Sequence, residues 1–465
     1  MNAFYLTTGA ITILVAVLGY LIWLKTKSVH FVFGAAAIYF WSIHGAWGLT
    51  YDKTVGSEEF RYHYLEASLF QVMLDHHYLT SLLIYGVFCL VTLTTTFLLV
   101  DSSKSEEVSR HSEKIPVNHT VILLFSLTSA AASFLIIANE FATAVVLGQT
   151  GYSAIGAETI EFFTIHQIFG RAALFSCLIG FTLLIAGQDN RYFESRSRPL
   201  HFAAYLLLAG GLIAYMMLLG NKNELFTGFV FAVLLFLGTH GRPPHRKTVL
   251  TGVVLFFLVA SVDYFRGVAL LSGGASEVSG SEVAAQTARI VFSNEAFAAH
   301  FSMYGAVKYD VGPTYGTGMN ALLFSVVPIN VWPDRPVGNY SYYAAEVGAE
   351  AGRGYTIHHA TSWYIDFGIP GVILGALTLG AIWASLHNGF ARTLPGALTI
   401  RRIFFLVAPF GFSAYMPGVI RAGVETYKGT FLGAVAIPMF FLILASIFCR
   451  PRSSDVSQRE LRAST

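Results

Sequence analysis

The sequence GRGYTIHHATSWY (Gly352–Tyr364) closes the interval that sets the organisation of the chain, Leu271 to Ile365. This is the one long interval too polar to lie inside a bilayer, and strongly apolar runs flank it on both sides. Charged side chains and irregular backbone are costly in hydrocarbon, so we expect the interval to form a loop outside the membrane. The apolar runs on either side then predict a membrane protein.

The composition of the whole chain is that of a helical membrane protein. Of its 465 residues, 54% are hydrophobic and 12% are charged, whereas soluble domains carry about 25% charged residues. Apolar runs separated by short charged connectors predict a single all-α, polytopic membrane domain over residues 1–465, with about 11 spans. The predicted spans are 3–24, 29–50, 78–100, 120–147, 165–187, 200–219, 225–240, 248–270, 366–387, 402–420 and 427–449.

The positions of Lys and Arg predict the orientation of these spans. When the connector with Lys25 and Lys27 lies in the cytoplasm, the larger share of the 29 basic residues falls on the cytoplasmic side, as the positive-inside rule requires. The N-terminus is then outside, the C-terminus is inside, and Leu271 to Ile365 is a large extracytoplasmic loop with short amphipathic helices. We expect a multi-pass protein of the bacterial inner (cytoplasmic) membrane whose first apolar run is retained, because that run lacks a basic leader and a cleavage site.

Charge and cysteine content exclude several classes of function. The net charge is +2 and the basic residues are scattered, which argues against nucleic acid as a partner. Cys89, Cys177 and Cys449 lie in or beside apolar runs, where a thiol behaves as a small hydrophobic group. We expect neither a disulfide nor a metal site, and no cofactor.

Cations gather on the predicted outer side, where the positive-inside rule leaves few. They are Lys222, Arg289, Arg335, Arg353 and Arg421. An anionic ligand with an apolar attachment, such as a lipid-linked diphosphate, accounts for this pattern, since Arg pairs bidentately with phosphate oxygens. The alternative for each is structural: a solvated turn, a snorkelling Lys or an ion pair. Inside the spans, Arg171 and Glu140 are placed to form a pair or to serve a function.

Aromatic and titratable residues of the polar interval suggest a sugar ligand and proton transfer. Tyr and Trp present flat apolar faces with a polar edge, which suits a sugar ring, and the candidates are Tyr315, Trp332, Tyr355 and Trp363. His358 and His359 follow a glycine-rich stretch, and a histidine can exchange protons near neutral pH. Two exposed loop histidines without a catalytic role are the alternative. The stretch around Arg289 and Glu295 predicts a helix resting on the membrane or on the bundle of spans.

These features resemble the oligosaccharide repeat-unit polymerases, the Wzy-type O-antigen polymerases of bacterial inner membranes. The resemblance covers residues 215–380. It rests on the connector GNKNE (Gly220–Glu224), the helix with Arg289, the segment GPTYGTGMNALLFSVVPINVWPDRP (Gly312–Pro336) and SWYIDFGIPGVILG (Ser362–Gly375). The chain departs from the family in carrying Lys222 where many relatives have Arg. Asp366 is the acidic residue that accompanies the FG element.

The resemblance implies transfer from a polyprenyl diphosphate-linked glycan to a lipid-linked repeat unit at the outer face of the inner membrane, for O-antigen, capsule or exopolysaccharide. We expect His359 or His358 to act as the base, with Glu295 next and Asp366 or Glu425 after these, and Arg289, Arg353, Lys222 and Arg421 to converge on the diphosphate. Membrane lipid, a chain-length regulator and a flippase are the expected partners. The alternatives are an O-antigen ligase-like glycan transferase and a flippase or exporter of lipid-linked glycans, which would carry charges along a path through both leaflets.

Overall fold

The computed structural model describes most of the chain, and all statements below refer to those residues. They are residues 2–55, 69–101, 117–139, 142, 163–186, 198–219, 222–240, 296–324, 327, 332, 334, 336, 338–348, 356–393 and 399–449.

Every regular element in this described part is a helix. In chain order the helices are α1 (Asn2–Thr26), α2 (Val29–Tyr39), which passes through a π-helical turn (Phe40–His44) into α3 (Gly45–Val55), α4 (Leu69–Leu74), α5 (His76–Leu99), α6 (His119–Ile136), α7 (Phe163–Ala186), α8 (Arg198–Leu218), α9 (Lys222–His240), α10 (Ala296–Lys308), α11 (Thr317–Phe324), α12 (Asn339–Glu346), α13 (His359–Ala391), α14 (Ile400–Arg421) and α15 (Thr426–Phe431), which continues through a second π-helical turn (Leu432–Ala436) into α16 (Ile437–Ile447).

Nine of the described helical segments are long and apolar enough to cross a membrane. The prediction of an all-α, polytopic membrane protein is confirmed at this level. Ten of the predicted apolar runs fall on helices, although the one at 225–240 lies in a shorter helix. The run at 248–270 lies outside the described residues. The count of about 11 spans, the orientation and the single-domain organisation stay predictions.

The chain divides into two compact units. The first contains residues 1–105, 272–391 and 412–432, and the second contains residues 106–271, 392–411 and 433–465. In the first unit α5 packs along α13 and α1, and α10 is enclosed by α5, α13 and the first π-helical turn. In the second unit α7 packs against α6, α8 and α9.

A polar side chain caps the N-terminus of two of the long helices, α5 and α6. Asp75 precedes α5 and accepts a hydrogen bond from the backbone N–H of His77 at 2.9 Å. Asn118 precedes α6 and accepts from the N–H groups of Thr120 and Val121. A side-chain oxygen at this position satisfies one of the N–H groups that a helix end leaves unpaired.

Helix α13 is kinked near its start and begins earlier than the sequence predicts. Gly368 has φ 65° and ψ −152°, and Pro370 follows it within the helix. Proline removes a helical N–H and its ring clashes with the preceding turn, so the kink has a local cause. We predicted a loop up to Ile365, but residues from His359 onward are helical. The apolar pattern does not predict the first turns of α13, because the residues they bury include the polar side chains His359, Thr361 and Ser362.

Helix α10, the first described helix of the predicted loop, is also more buried than the sequence predicts. We predicted that the stretch after Glu295 rests on the membrane or on the bundle, yet α10 lies inside the first unit. Ala299, Phe301, Met303 and Tyr304 are fully buried there.

Candidate functional site

A buried polar centre lies in the first unit, where α5, α10 and α13 meet the first π-helical turn. Its members have at most 1% of their surface exposed: Ser42, Tyr78, Tyr85, His300, Ser302, His358, His359 and Thr361. The starts of α5 and α13 lie at this end of the unit, and so does the start of α1, because Phe4 stacks on Tyr78 with ring centroids 6.1 Å apart. Buried polar groups must be hydrogen-bonded to be tolerated, so the partners define what each group can do.

His300, on α10, is held as a neutral ring with a fixed tautomer. Its Nδ1 lies 2.9 Å from the carbonyl oxygen of Ser42, which can only accept, so Nδ1 carries the proton. Nε2 then accepts from the hydroxyl of Tyr78 at 2.7 Å. Burial lowers the pKa of His300 to about 4, although the bond to Ser42 opposes that shift.

His358, the residue before α13, has both ring nitrogens engaged. Nδ1 accepts the backbone N–H of Ala360 at 3.0 Å, so Nε2 carries the proton and donates it to the hydroxyl of Ser42 at 2.9 Å. The backbone N–H of His358 donates to Ser302 at 2.9 Å. Burial holds the pKa of His358 well below its usual value, and the neighbouring histidines act in the same direction.

His359, the first residue of α13, also has its basic nitrogen occupied. The indole N–H of Trp363 points to Nε2 at 3.1 Å, and the hydroxyl of Tyr427 lies 3.2 Å from the same atom. An indole N–H can only donate, so Nε2 is the unprotonated nitrogen. The alternative of two exposed loop histidines is therefore wrong, because both rings are fully buried and hydrogen-bonded.

A glycine-rich loop, Gly312–Gly318, sits on the kinked start of α13. The N–H of Thr314 donates to the carbonyl oxygen of Ile365 at 2.7 Å. Gly312 has φ 104°, and a Cβ at this position would lie 2.8 Å from the same carbonyl oxygen. Only glycine combines this backbone conformation with so close an approach.

Asp366 anchors this loop from inside. Its side chain has no exposed surface, and Oδ1 accepts from the Thr314 hydroxyl and from the Gly318 N–H, both at 2.9 Å. The second oxygen, Oδ2, has no hydrogen-bond partner among the described residues. The sequence places Asp366 beside the FG element but gives no sign that it contacts the loop about 50 residues earlier.

Tyr315 is at the tip of the loop and is exposed over 81% of its surface. Its φ of 54° is in the left-handed region, which bulky residues rarely occupy. Strain of this kind costs about 1–3 kcal/mol and concentrates at functional positions. The structure therefore leaves an aromatic ring exposed on a loop whose neighbouring residues bind a buried carboxylate.

The neighbouring helix α12 and the start of α15 complete the surroundings of the loop. The amide nitrogen of Asn339 donates to the carbonyl oxygen and the hydroxyl of Ser362, at 2.9 and 3.1 Å. Gly318 lies directly against the Asn339 side chain. Glu425 accepts the N–H of Tyr340 at 3.3 Å, so this carboxylate serves the start of α12.

The other predicted sugar-binding aromatics have different surroundings. Trp332 is 36% exposed and packs against Phe324 with centroids 5.2 Å apart. Trp363 is 4% exposed and lies against Gly375, in the interior and not on an aromatic surface. Tyr355 lies outside the described residues.

Two of the predicted diphosphate-binding cations, Arg421 and Lys222, fall among the described residues, one in each unit. Arg421 ends α14, and its guanidinium lies 5.7 Å from the centre of the Trp41 ring. Lys222 begins α9 in the second unit. Arg289, Arg335, Arg353 and the proposed base Glu295 fall outside the part of the chain that the structure describes, so their convergence stays a prediction.

An ion pair joins α7 and α9 in the second unit. Arg171 donates to Glu224 at 3.2 Å, and the two side chains are 17% and 22% exposed. We predicted that Arg171 and Glu140 form a pair or serve a function; Glu140 lies outside the described residues, so that pairing stays a prediction, and Glu224 is a described partner of Arg171. A pair shielded from water in this way stabilises two neighbouring helices against each other.

One cluster of metal-ligating side chains is present among the described residues. The ligand atoms of Asp75, His76 and His77 lie within 4.8 Å of one another. Burial acts to raise the pKa of Asp75, but hydrogen bonds from His77 and Tyr304 outweigh it and hold the pKa below its usual value. These bonds, together with the 83% exposure of the His76 side chain, describe a helix cap.

No family model matches the chain, and no curated protein or solved structure is similar to it. The resemblance stated from the sequence stays a hypothesis.

Proposed function

We propose that the chain is a membrane glycosyltransferase that polymerises lipid-linked oligosaccharide repeat units. The donor is a glycan on polyprenyl diphosphate and the acceptor is the non-reducing end of another lipid-linked repeat, at the outer face of the bacterial inner membrane. The observation that carries the proposal is Tyr315. An exposed aromatic ring, held in a strained conformation on a loop that hydrogen-bonds the buried Asp366 near the start of an apolar helix, suits a ligand with a sugar and a lipid part.

The polar centre supports transfer chemistry close to a membrane surface. Imidazole and hydroxyl groups are enclosed together by the helices of the first unit, and the buried carboxylate of Asp366 lies further along α13. Transfer from a diphosphate needs a group that takes the proton of the acceptor hydroxyl. It also needs positively charged side chains beside the leaving diphosphate, which stabilise its negative charge. Arg421 is the described candidate for the second task in this unit, with Arg289 and Arg353 as predicted additions.

Purified protein in a detergent micelle or lipid nanodisc tests this function with one lipid-linked repeat as both donor and acceptor. We expect a ladder of lengthening glycans on polyprenyl diphosphate, with release of free polyprenyl diphosphate. A single transfer to a different acceptor lipid would instead identify a ligase. Movement of the repeat across a vesicle membrane without a change in its length would identify a flippase. Absence of any new glycosidic bond under all these conditions would refute the proposed glycosyltransferase activity.

A further inference from the structure

One side-chain oxygen of Asp366, Oδ2, accepts no hydrogen bond from the described residues. The carboxylate is fully buried, and Oδ1 is committed to Thr314 and Gly318. Leaving a buried polar atom without a partner destabilises the folded state, and more so when the group is charged. Native proteins keep such an atom where another interaction uses it.

In the two predicted catalytic histidines, His358 and His359, the unprotonated ring nitrogen already accepts a hydrogen bond, and Nδ1 of His359, which has no partner among the described residues, carries the proton. Nδ1 of His358 accepts from Ala360, and Nε2 of His359 accepts from Trp363. Either ring must give up an existing hydrogen bond before it takes a proton from a ligand. Asp366 needs to give up none, because its basic oxygen is already unoccupied.

The position of Asp366 connects it with the exposed aromatic ring. Its two donors, Thr314 and Gly318, enclose Tyr315 in the sequence, and the ring of Phe367 lies against Gly316 of the same loop. The loop covers the carboxylate, and its glycines at 312 and 316 both have positive φ. A sugar stacked on Tyr315 would therefore contact the loop whose residues bind Oδ1 of Asp366.

We propose that Asp366 is the catalytic base of glycan transfer and acts through Oδ2 when the Gly312–Gly318 loop lifts; this rests on the proposed function. The acceptor hydroxyl oxygen forms a bond to the anomeric carbon of the donor, and the bond from that carbon to the diphosphate oxygen breaks. The hydroxyl proton passes to Oδ2 of Asp366. The bonding electron pair leaves with polyprenyl diphosphate, so no further reactant is needed.

Asp366→Asn tests this assignment with little change in shape. The amide oxygen keeps the acceptor for Thr314 and Gly318, and only the basic oxygen is replaced. We expect the rate of chain extension to fall by about 10²- to 10⁴-fold, the range for loss of a general base. Binding of a fluorescent polyprenyl diphosphate-linked repeat and the unfolding temperature should stay unchanged.

Thr314→Val is the matched control, because it removes one donor to Oδ1 and leaves Oδ2 intact. We expect its rate to stay within about tenfold of the wild type, since one hydrogen bond contributes about 0.5–1.5 kcal/mol. Asp366→Glu is the second measurement: it keeps a carboxylate, so it should restore part of the rate that Asp366→Asn loses, and it replaces the Asn variant if that variant does not fold.

The outcomes separate this proposal from the function on which it rests. A wild-type protein that forms no polymer contradicts the proposed function. A polymerising wild type together with a fully active Asp366→Asn variant overturns the base and leaves the function standing. A loss in Thr314→Val as large as that in Asp366→Asn would also overturn it, because Asp366 would then act by holding the loop.

Discussion

Trp363 donates its indole N–H to Nε2 of His359, one helical turn earlier in α13, at 3.1 Å. This contact predicts a structural role for His359. Replacing His359 with Ala leaves the indole N–H and the hydroxyl of Tyr427 without this acceptor, and should lower the free energy of unfolding by about 1–3 kcal/mol. His359→Gln keeps an acceptor oxygen and should retain both stability and chain extension. Denaturant titration in detergent and the polymerisation assay measure the two effects.

The contrary outcome for His359 is equally specific. A His359→Gln protein that unfolds at the wild-type denaturant concentration but extends chains about 10²-fold more slowly would show that the imidazole is the base. Asp366 would then lose that role.

His300 should make the stability of the fold depend on pH. Its folded-state pKa of about 4 lies below the ordinary value of 6.5, so the unfolded chain binds a proton at higher pH than the folded chain. The contribution is fully present above pH 6.5 and is lost as the pH falls towards 4. His300→Gln should flatten part of this dependence, measured as the unfolding midpoint at several pH values.

Asp75 provides an internal comparison for that measurement. Its pKa is held below the ordinary value of 3.8, so its contribution is lost only at lower pH than the His300 window. An unchanged pH dependence between 6.5 and 4 in His300→Gln would contradict the role assigned to His300.

The sequence predicts the helices well because apolar runs report directly on burial in lipid. It fails at the start of α13, where the buried face is polar and each polar group is matched by a distant partner. His358 contacts Ser42, 316 residues away in the chain, and no local pattern reports such a pairing. The contact of His30 with His387 cannot be predicted from the sequence for the same reason; Nε2 of His30 lies 3.0 Å from Nδ1 of His387.

In the candidate site, too, local features can be predicted from the sequence and contacts between distant residues cannot. Tyr315 could be proposed from its glycine-rich setting, because that setting is local. The role of Asp366 could not, because it depends on which groups donate to Oδ1 and on Oδ2 having no partner among the described residues. Trp363 was misread as a surface aromatic since its residue type suits a sugar and an interior equally well.

Gly312 and Gly348 separate the effect of close packing from that of backbone conformation. Both have positive φ, 104° and 67°, but a Cβ on Gly312 would meet the carbonyl of Ile365, whereas no described residue lies within 4 Å of one on Gly348. Gly348→Ala should cost about 1–2 kcal/mol from the left-handed conformation alone. Gly312→Ala should cost clearly more, seen as a larger drop in unfolding temperature. Equal drops would mean that the loop can move away from α13.

The pair between Arg171 and Glu224 should be energetically coupled. Each side chain keeps only about a fifth of its surface exposed, so the pair is weakly screened by solvent. Arg171→Gln and Glu224→Gln, singly and together, form a double-mutant cycle with an expected coupling of about 0.5–3 kcal/mol. Unfolding in detergent measures it, and strictly additive single effects would show that the contact contributes nothing.

Tyr315 gives the most direct test of a functional role for backbone strain. Glycine adopts φ 54° without the steric cost of a side chain, so Tyr315→Gly should leave the protein as stable as the wild type or about 1–2 kcal/mol more stable. The same change removes the exposed ring, so binding of the lipid-linked repeat and chain extension should weaken about tenfold, as expected for one lost aromatic contact of about 1–1.5 kcal/mol. Lys27→Gly is the matched control, since Lys27 has φ 52° and follows α1. It should gain stability without any change in activity. Full activity in Tyr315→Gly would remove the ring from the glycan site.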